Sequence, residues 1–107
     1  MKRLLTTLVI LTGLVGSAGA VWADAQSDFE NGMKAAQSGD FATALKEWKP
    51  LAEHGSRKAQ FYLGGMYEKG KGVSQDTIAA YMWFNIAAEQ GHKKAASNWD
   101  IAKSKLS

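Results

Sequence analysis

The chain has 107 residues, of which 46% are hydrophobic and 21% are charged, and its formal net charge is +3. This length allows one small domain, and this composition excludes a chain that is disordered over most of its length. Because the sequence contains no cysteine, disulfides cannot stabilise the fold, which must depend on its own packing, on self-association or on a partner.

The first residues, 1–23, have the pattern of a secretory signal peptide. Two basic residues open the chain, a mainly apolar stretch follows, and small residues lead to a cleavage site after Ala23. The alternative is an uncleaved anchor, because residues 4–23 carry no charge and are just long enough to span a bilayer. We predict cleavage, since the second half of this stretch is only weakly apolar and Asp24 follows it instead of a basic residue.

Cleavage predicts a periplasmic or secreted protein made of residues 24–107, with membrane association only if the leader is kept. Removal of Lys2 and Arg3 leaves 11 basic residues against 10 acidic ones. The charge balance therefore gives no reason to expect nucleic-acid binding. The remaining charge is uneven, at −3 over residues 24–56 and +3 over residues 93–107.

The chain after residue 25 is rich in Ala, Lys, Glu, Gln, Leu and Met, which favour helices. The predicted helices, in chain order, cover residues 26–38, 41–54, 57–69, 76–90 and 93–105. Asp40 and Asp76 directly precede or begin the second and fourth of these helices, so we expect their side chains to act as N-caps.

The sequence repeats itself at an offset of 36 residues. The identical pairs are Asp40 and Asp76, Ala44 and Ala80, Ala52 and Ala88, Glu53 and Glu89, Gly55 and Gly91, Lys58 and Lys94, and Ala59 and Ala95. Trp48 corresponds to Phe84, and the paired glycines are expected to end their helices in a left-handed conformation. The first helix of each pair also matches, at an offset of 32 residues: Phe29 and Gly32 correspond to Phe61 and Gly64.

The repeat resembles a known family. The string AQFYLGGMYEKGKGV at residues 59–73 resembles the first helix and loop of a Sel1-like repeat, and Asp76, Ala80, Trp83, Ala87, Ala88 and Gly91 resemble its second helix and exit. Residues 39–55 resemble the shorter, tetratricopeptide-like repeat that often precedes it. The resemblance covers residues 26–107 and implies an all-α fold, a short α/α solenoid of about two helix-pair repeats followed by a C-terminal capping helix.

A groove on such a solenoid would be lined by the first helix of each pair. Position in the repeat gives the candidates, which are Phe29, Met33 and Gln37, then Lys58, Phe61 and Lys69, and finally Lys94 and Ile101. The lysines suit an acidic peptide. The alternative is that the two phenylalanines belong to the core and the lysines are ordinary solvated residues. Trp99 and Ile101 lie in a last helix that no further helix covers, so one of them is expected to form an exposed apolar patch.

No catalytic, cofactor or metal site is predicted. His54 and His92 each flank a helix-ending glycine, and no cysteine or third histidine accompanies them to complete a zinc site. The segment Gly70-Lys71-Gly72 lacks the frame of a phosphate-binding loop, and we interpret it as a turn between helices. Most serines fall at turns and helix ends, without the base and acid that a nucleophile needs.

The resemblance implies an exported adaptor or scaffold that binds proteins or peptides, and no single biochemical activity. Cysteine-rich secreted relatives have been given activities that do not carry over, because this chain lacks every such cysteine. The alternatives are a membrane-anchored envelope scaffold subunit and a small hydrolase or ligand-binding protein that acts on cell-wall material. Two repeats and a cap lie near the lower limit of stability for a solenoid, so self-association or stabilisation by a partner is expected.

Overall fold

A computed structural model describes residues 25–106, which form five consecutive α-helices. The helices are α1 (25–37), α2 (Phe41–Glu53), α3 (Arg57–Lys69), α4 (Thr77–Glu89) and α5 (Lys93–Leu106). The all-α prediction is confirmed, and the predicted helix ends from residue 37 to residue 106 agree with the structure to within one residue. The predicted signal peptide lies outside the described residues. Within the described part of the chain, no helix has the length and apolar character needed to cross a membrane.

The helix ends follow from local chemistry. The carboxylate of Asp40 accepts hydrogen bonds from the backbone N–H (3.2 Å) and hydroxyl (2.6 Å) of Thr43, which lower the pKa of Asp40. Asp76 accepts from the backbone N–H of Ala79 at 3.0 Å. Both aspartates are therefore N-caps, as predicted. Gly55 and Gly91 have φ angles of 102° and 89°, which confirms the left-handed helix ends.

Each of the first two helix pairs is held together by an aromatic ring packed on a glycine. A methyl group on Gly32 would lie 2.7 Å from Cδ1 of Trp48, and one on Gly64 would lie 2.7 Å from Cδ1 of Phe84. Both rings are buried. The two repeats therefore use the same contact, in which a helix without a side chain at one position lets the ring of its partner approach the backbone.

The buried residues form two clusters that meet at α3. One cluster joins α2 to α3 around Trp48 and Leu63, with residues of α1 packed against it. The other joins α4 to α5 around Phe84, Ala95 and Ala102. Phe61 packs against the second cluster, and Tyr67 contacts both.

A polar network ties the ends of three helices together. Gln60 is buried, and its amide donates to the backbone carbonyl of Ala52 at 3.1 Å. Gln90 donates in turn to the side-chain oxygen of Gln60 at 2.7 Å. The guanidinium of Arg57 donates to the backbone carbonyl of Gln90 at 3.0 Å. The network fixes the start of α3 against the ends of α2 and α4.

The last helix differs from its repeat equivalents on the side that would receive a further helix. The position that corresponds to Gly64, 36 residues later, is Asp100, whose side chain is exposed. Such a polar outer face is typical of the end of a solenoid stack. Ile101 beside it is 51% exposed, whereas Trp99 is half-buried and its ring centroid lies 5.7 Å from that of Tyr81.

Candidate functional site

Two adjoining depressions lie where α1, α3 and α5 face the same side of the module. The first, named here the basic depression, has a volume of about 470 Å³ and is lined by Phe29, Arg57, Lys58, Phe61, Tyr62, Gly91, His92, Lys93 and Lys94. The second, the apolar depression, has a volume of about 330 Å³ and is lined by Met33, Ala36, Gln37, Phe41, Trp48, Phe61, Tyr62, Gly65, Met66, Glu68, Lys69, Lys71 and Asn98. Phe61 and Tyr62 form a wall of both.

The basic depression collects its cations from the first turns of two helices. Arg57 and Lys58 open α3, and Lys93 and Lys94 open α5. These two pairs occupy equivalent positions of the repeat, so stacking of the repeats brings them to one end of the module. None of the residues that line this depression carries a carboxylate. The site therefore has a positive potential that favours an anionic ligand.

His92 lies in the basic depression between the cationic side chains and the ring of Phe61. Its ring stacks on Phe61, with centroids 4.5 Å apart and an interplanar angle of 17°. Its Nδ1 accepts a hydrogen bond from the backbone N–H of Ala95 at 3.1 Å, so the neutral ring carries its proton on Nε2. Burial, and then the charges of Arg57 and Lys94, lower the pKa of His92 from its usual 6.5.

A cluster of aromatic rings lies beside both depressions, with Phe29 lining the basic one, Trp48 the apolar one and Tyr62 both. The ring centroids of Trp48 and Tyr62 are 5.1 Å apart, and Phe29 lies 5.8 Å from Trp48 and 5.6 Å from Tyr62. The ring of Trp48 is buried, and its indole N–H donates to the backbone carbonyl of Phe29 at 3.1 Å. The ring surface that a ligand can reach is that of the half-buried Phe61 and Tyr62. A methyl group built on Gly65 would have no atom within 4 Å, so this glycine leaves the depression open.

The predicted groove residues divide between the two depressions. Phe29, Lys58, Phe61 and Lys94 line the basic depression, Met33, Gln37, Phe61 and Lys69 line the apolar one, and Ile101 lines neither. Phe29 and Phe61 are half-buried, so each takes part in packing and also faces the groove. That these residues bind a partner stays a prediction.

Sequence reasoning missed several residues that the structure brings to the same place. Arg57 and Lys93 match across the 36-residue offset, which is a signal that would have paired them with Lys58 and Lys94. His92 occupies the repeat position of Ser56, whose side chain caps α3 by accepting from the N–H of Ala59. Its capping role was therefore available from the repeat. Tyr62 is half-buried and lines both depressions.

The residues that line the two depressions are suited to binding a ligand, and they include no serine, threonine or cysteine nucleophile. Among the residues that the structure describes, no three His, Cys, Asp or Glu side chains come together in a group that could hold a metal ion. Cations beside carbon-rich rings can hold a carboxylate and an apolar side chain at adjacent places.

Comparison with known proteins agrees with the repeat seen in the sequence. The profile of the Sel1 repeat matches residues 57–92. A protein from Rhizobium leguminosarum bv. viciae, described as an exopolysaccharide production negative regulator, is 33% identical over 63 residues, which are 59% of this chain and 24% of that protein. The chain thus aligns with about a quarter of its relative. No solved structure matches the chain. Residues 57–92, which hold α3, the glycine loop and α4, are thus similar to one Sel1 repeat.

Proposed function

We propose that this chain is a non-catalytic binding module that holds an acidic peptide segment of a partner protein in the groove formed by the basic and apolar depressions. The observation that carries the proposal is the convergence of Arg57, Lys58, Lys93 and Lys94 on one depression whose lining has no carboxylate. Sel1 repeats typically mediate protein binding, which supports a protein ligand. The relative described as a negative regulator favours a regulatory role over catalysis.

The place of action is part of the proposal. The leader-like residues 1–23 support an exported protein that acts in the periplasm or outside the cell. Expression in a bacterial host, cell fractionation and an intact mass test this point. A soluble species that begins at Asp24 agrees with it. A full-length species in the membrane fraction instead makes an anchored envelope scaffold the function.

Selection from a displayed library of random peptides tests the groove. The variant carries Lys58→Glu and Lys94→Glu, and the matched control carries Lys46→Glu and Lys49→Glu, two exposed lysines of α2 that line neither depression. Both double variants change the net charge by the same amount. Peptides selected on the wild-type protein should bind the control equally well.

The same peptides should bind the Lys58/Lys94 variant at least about tenfold more weakly, because two attractive contacts become repulsive. Replacement of Lys58, Lys69 and Lys94 by alanine together should also weaken binding. Lys69 lies in the other depression, so Lys69→Ala alone should have the smaller effect. A library that yields no binder, or binders that are indifferent to the charge reversal, would exclude this function.

A further inference from the structure

The two depressions share a wall but differ in chemistry, and this arrangement bears on what the ligand must contain. We propose that the bound peptide places a carboxylate in the basic depression and a large apolar side chain in the apolar depression, two positions apart in an extended segment. This inference rests on the proposed function and goes further, because it specifies both side chains and their spacing. A purely acidic ligand would satisfy the proposed function and leave the apolar depression empty.

The carboxylate of the proposed peptide follows from the residues that line the basic depression. Lys58, Lys93 and Lys94 are exposed at its edge, while the guanidinium of Arg57 is held by the carbonyl of Gln90. A carboxylate that enters between α3 and α5 meets cations from both helices. Long flexible cations around an opening recognise charge and tolerate variation in the exact position of the acid.

The apolar half follows from the floor and the opening of the second depression. The half-buried Phe61 and Tyr62 present ring surface there, beside the buried ring of Trp48. Gly65, in the middle of α3, leaves free space where any other residue would project a side chain. A small cavity with rings on its floor and one missing side chain at its centre fits a Trp, Phe, Leu or Met side chain of a ligand.

The shared wall sets the spacing. Phe61 and Tyr62 line both depressions, so the two ligand side chains enter on either side of one shared wall. In an extended peptide, side chains at i and i+2 point to the same side and are about 7 Å apart. Neighbouring side chains point to opposite sides and cannot enter both depressions. The i and i+2 spacing is therefore the shortest that can place one side chain in each depression, and it is the one we propose.

The apolar depression also favours a peptide over an acidic polysaccharide. A polyuronate supplies carboxylates for the basic depression but has no large apolar side chain to occupy the neighbouring one. Burial of such a side chain provides much of the affinity of a small ligand. We therefore commit to a peptide, and an oligouronate serves as a competing ligand in the test.

Chemical-shift titration of the ¹⁵N-labelled full chain measures weak binding and maps it at once. The parent peptide is a Gly/Ser segment with a glutamate and a tryptophan at i and i+2. Three related peptides change the glutamate to glutamine, change the tryptophan to serine, or separate the two residues by six positions. Each change should weaken binding by about fivefold or more. The shifted backbone amides should lie at the start of α5 and around Gly65.

Two protein variants divide the contributions of the depressions. Lys58→Glu with Lys94→Glu should erase the preference for glutamate over glutamine and keep the preference for tryptophan over serine. Gly65→Leu fills the apolar depression from within, so it should do the reverse. Circular dichroism checks that this variant folds, and Gly65→Ala, which partly fills the same space, carries the test with the same sign if the larger side chain is not tolerated.

The outcomes separate this inference from the proposed function. If the library yields peptides that need Lys58 and Lys94 but contain no acidic and apolar pair, the proposed function stands and this inference falls. Equal affinity of the parent and spaced peptides also overturns the inference. An oligogalacturonate that binds as tightly as the parent peptide and ignores Gly65→Leu would assign the groove to a polysaccharide. If neither defined nor selected peptides bind, both proposals fail.

Discussion

Two adjacent glycines of α3 provide a direct test of how the repeats are packed. A methyl group on Gly64 would lie 2.7 Å from both Cδ1 and Cε1 of the buried Phe84 ring, whereas one on Gly65 would meet nothing within 4 Å. Neither glycine has a positive φ angle. Alanine is therefore compatible with the backbone at both positions, and the two substitutions differ only in what the new methyl group contacts.

The magnitudes follow from this difference. Alanine in the interior of a helix is about 0.5–1 kcal/mol more favourable than glycine, so Gly65→Ala should raise the free energy of unfolding by about that amount. Gly64→Ala has the same gain, but overpacking against a ring typically costs about 1–3 kcal/mol. We expect Gly64→Ala to lose about 1–2 kcal/mol in all, and more if the ring cannot move. Gly32→Ala, the equivalent change in the first pair, should lose about 1 kcal/mol beyond that, because it also disturbs the bond from Trp48 to Phe29.

Thermal and urea unfolding followed by circular dichroism at 222 nm measure the effect. For a domain of this size, 1 kcal/mol corresponds to a shift in Tm of about 4–8 °C, so Gly65→Ala and Gly64→Ala should move the transition in opposite directions. Equal stability of the two variants would refute the ring-on-glycine packing. A loss for Gly64→Ala without one for Gly32→Ala would show that the two pairs do not share this contact.

Three further predictions concern the loop, the buried network and the capping histidine. Gly72 has a φ angle of 76°, and a methyl group there would lie 2.8 Å from a backbone carbonyl oxygen of α2. Gly72→Ala should therefore lower the free energy of unfolding by about 2–3 kcal/mol, and Gly39→Ala, with a similar φ but open space around it, should lose less in the same urea titration. Gln60→Ala removes the donor to the carbonyl of Ala52 and should cost about 1–3 kcal/mol, while unchanged stability would show that water replaces the amide. Burial and then neighbouring cationic side chains lower the pKa of His92 from 6.5, so just below that pH the unfolded chain binds more protons than the folded one, and stability falls as the pH is lowered. His92→Ser should reduce this loss, and parallel stability curves for the two proteins would contradict it.

The helices and their ends were predictable because their signals are local. An aspartate precedes α2 and α4, and a glycine follows each of them. These residues act within one turn, so the ends of both helices could be predicted to within one residue. The contact between a glycine and an aromatic ring did not follow. Gly32 and Trp48 are 16 residues apart, whereas Gly64 and Phe84 are 20 apart, because the second loop is longer. The repeat in the sequence pairs Gly32 with Gly64 and Trp48 with Phe84. Only the structure shows that each glycine contacts the aromatic ring of its own helix pair.

The candidate site was predictable only in part for a similar reason. The aromatic and lysine positions of α1, α3 and α5 follow from the repeat, since the first helices of successive pairs run in the same direction. The division into two depressions does not, because it depends on the size of side chains between helices. Ile101 shows the limit, since its repeat position suggested the groove but its side chain lies outside both depressions.

The repeat also explains why α3 carries both parts of the groove. The aromatic position is Phe29 in α1 and Phe61 in α3, but Ser97 follows at the same position in α5. Paired cations open α3 and α5, whereas the corresponding residues of α1, at positions 25 and 26, are uncharged.

The groove is positive at the end where α3 and α5 begin, and it is apolar farther along the same helices, around Gly65. It follows that Met33→Ser in α1 should weaken only the tryptophan contact of the proposed peptide, and Lys94→Glu in α5 only the glutamate contact. A double-mutant cycle between protein and peptide measures each coupling separately. Coupling of Met33 to the glutamate would mean that the two depressions act as one site, and the division of the groove into a positive and an apolar end would then be wrong.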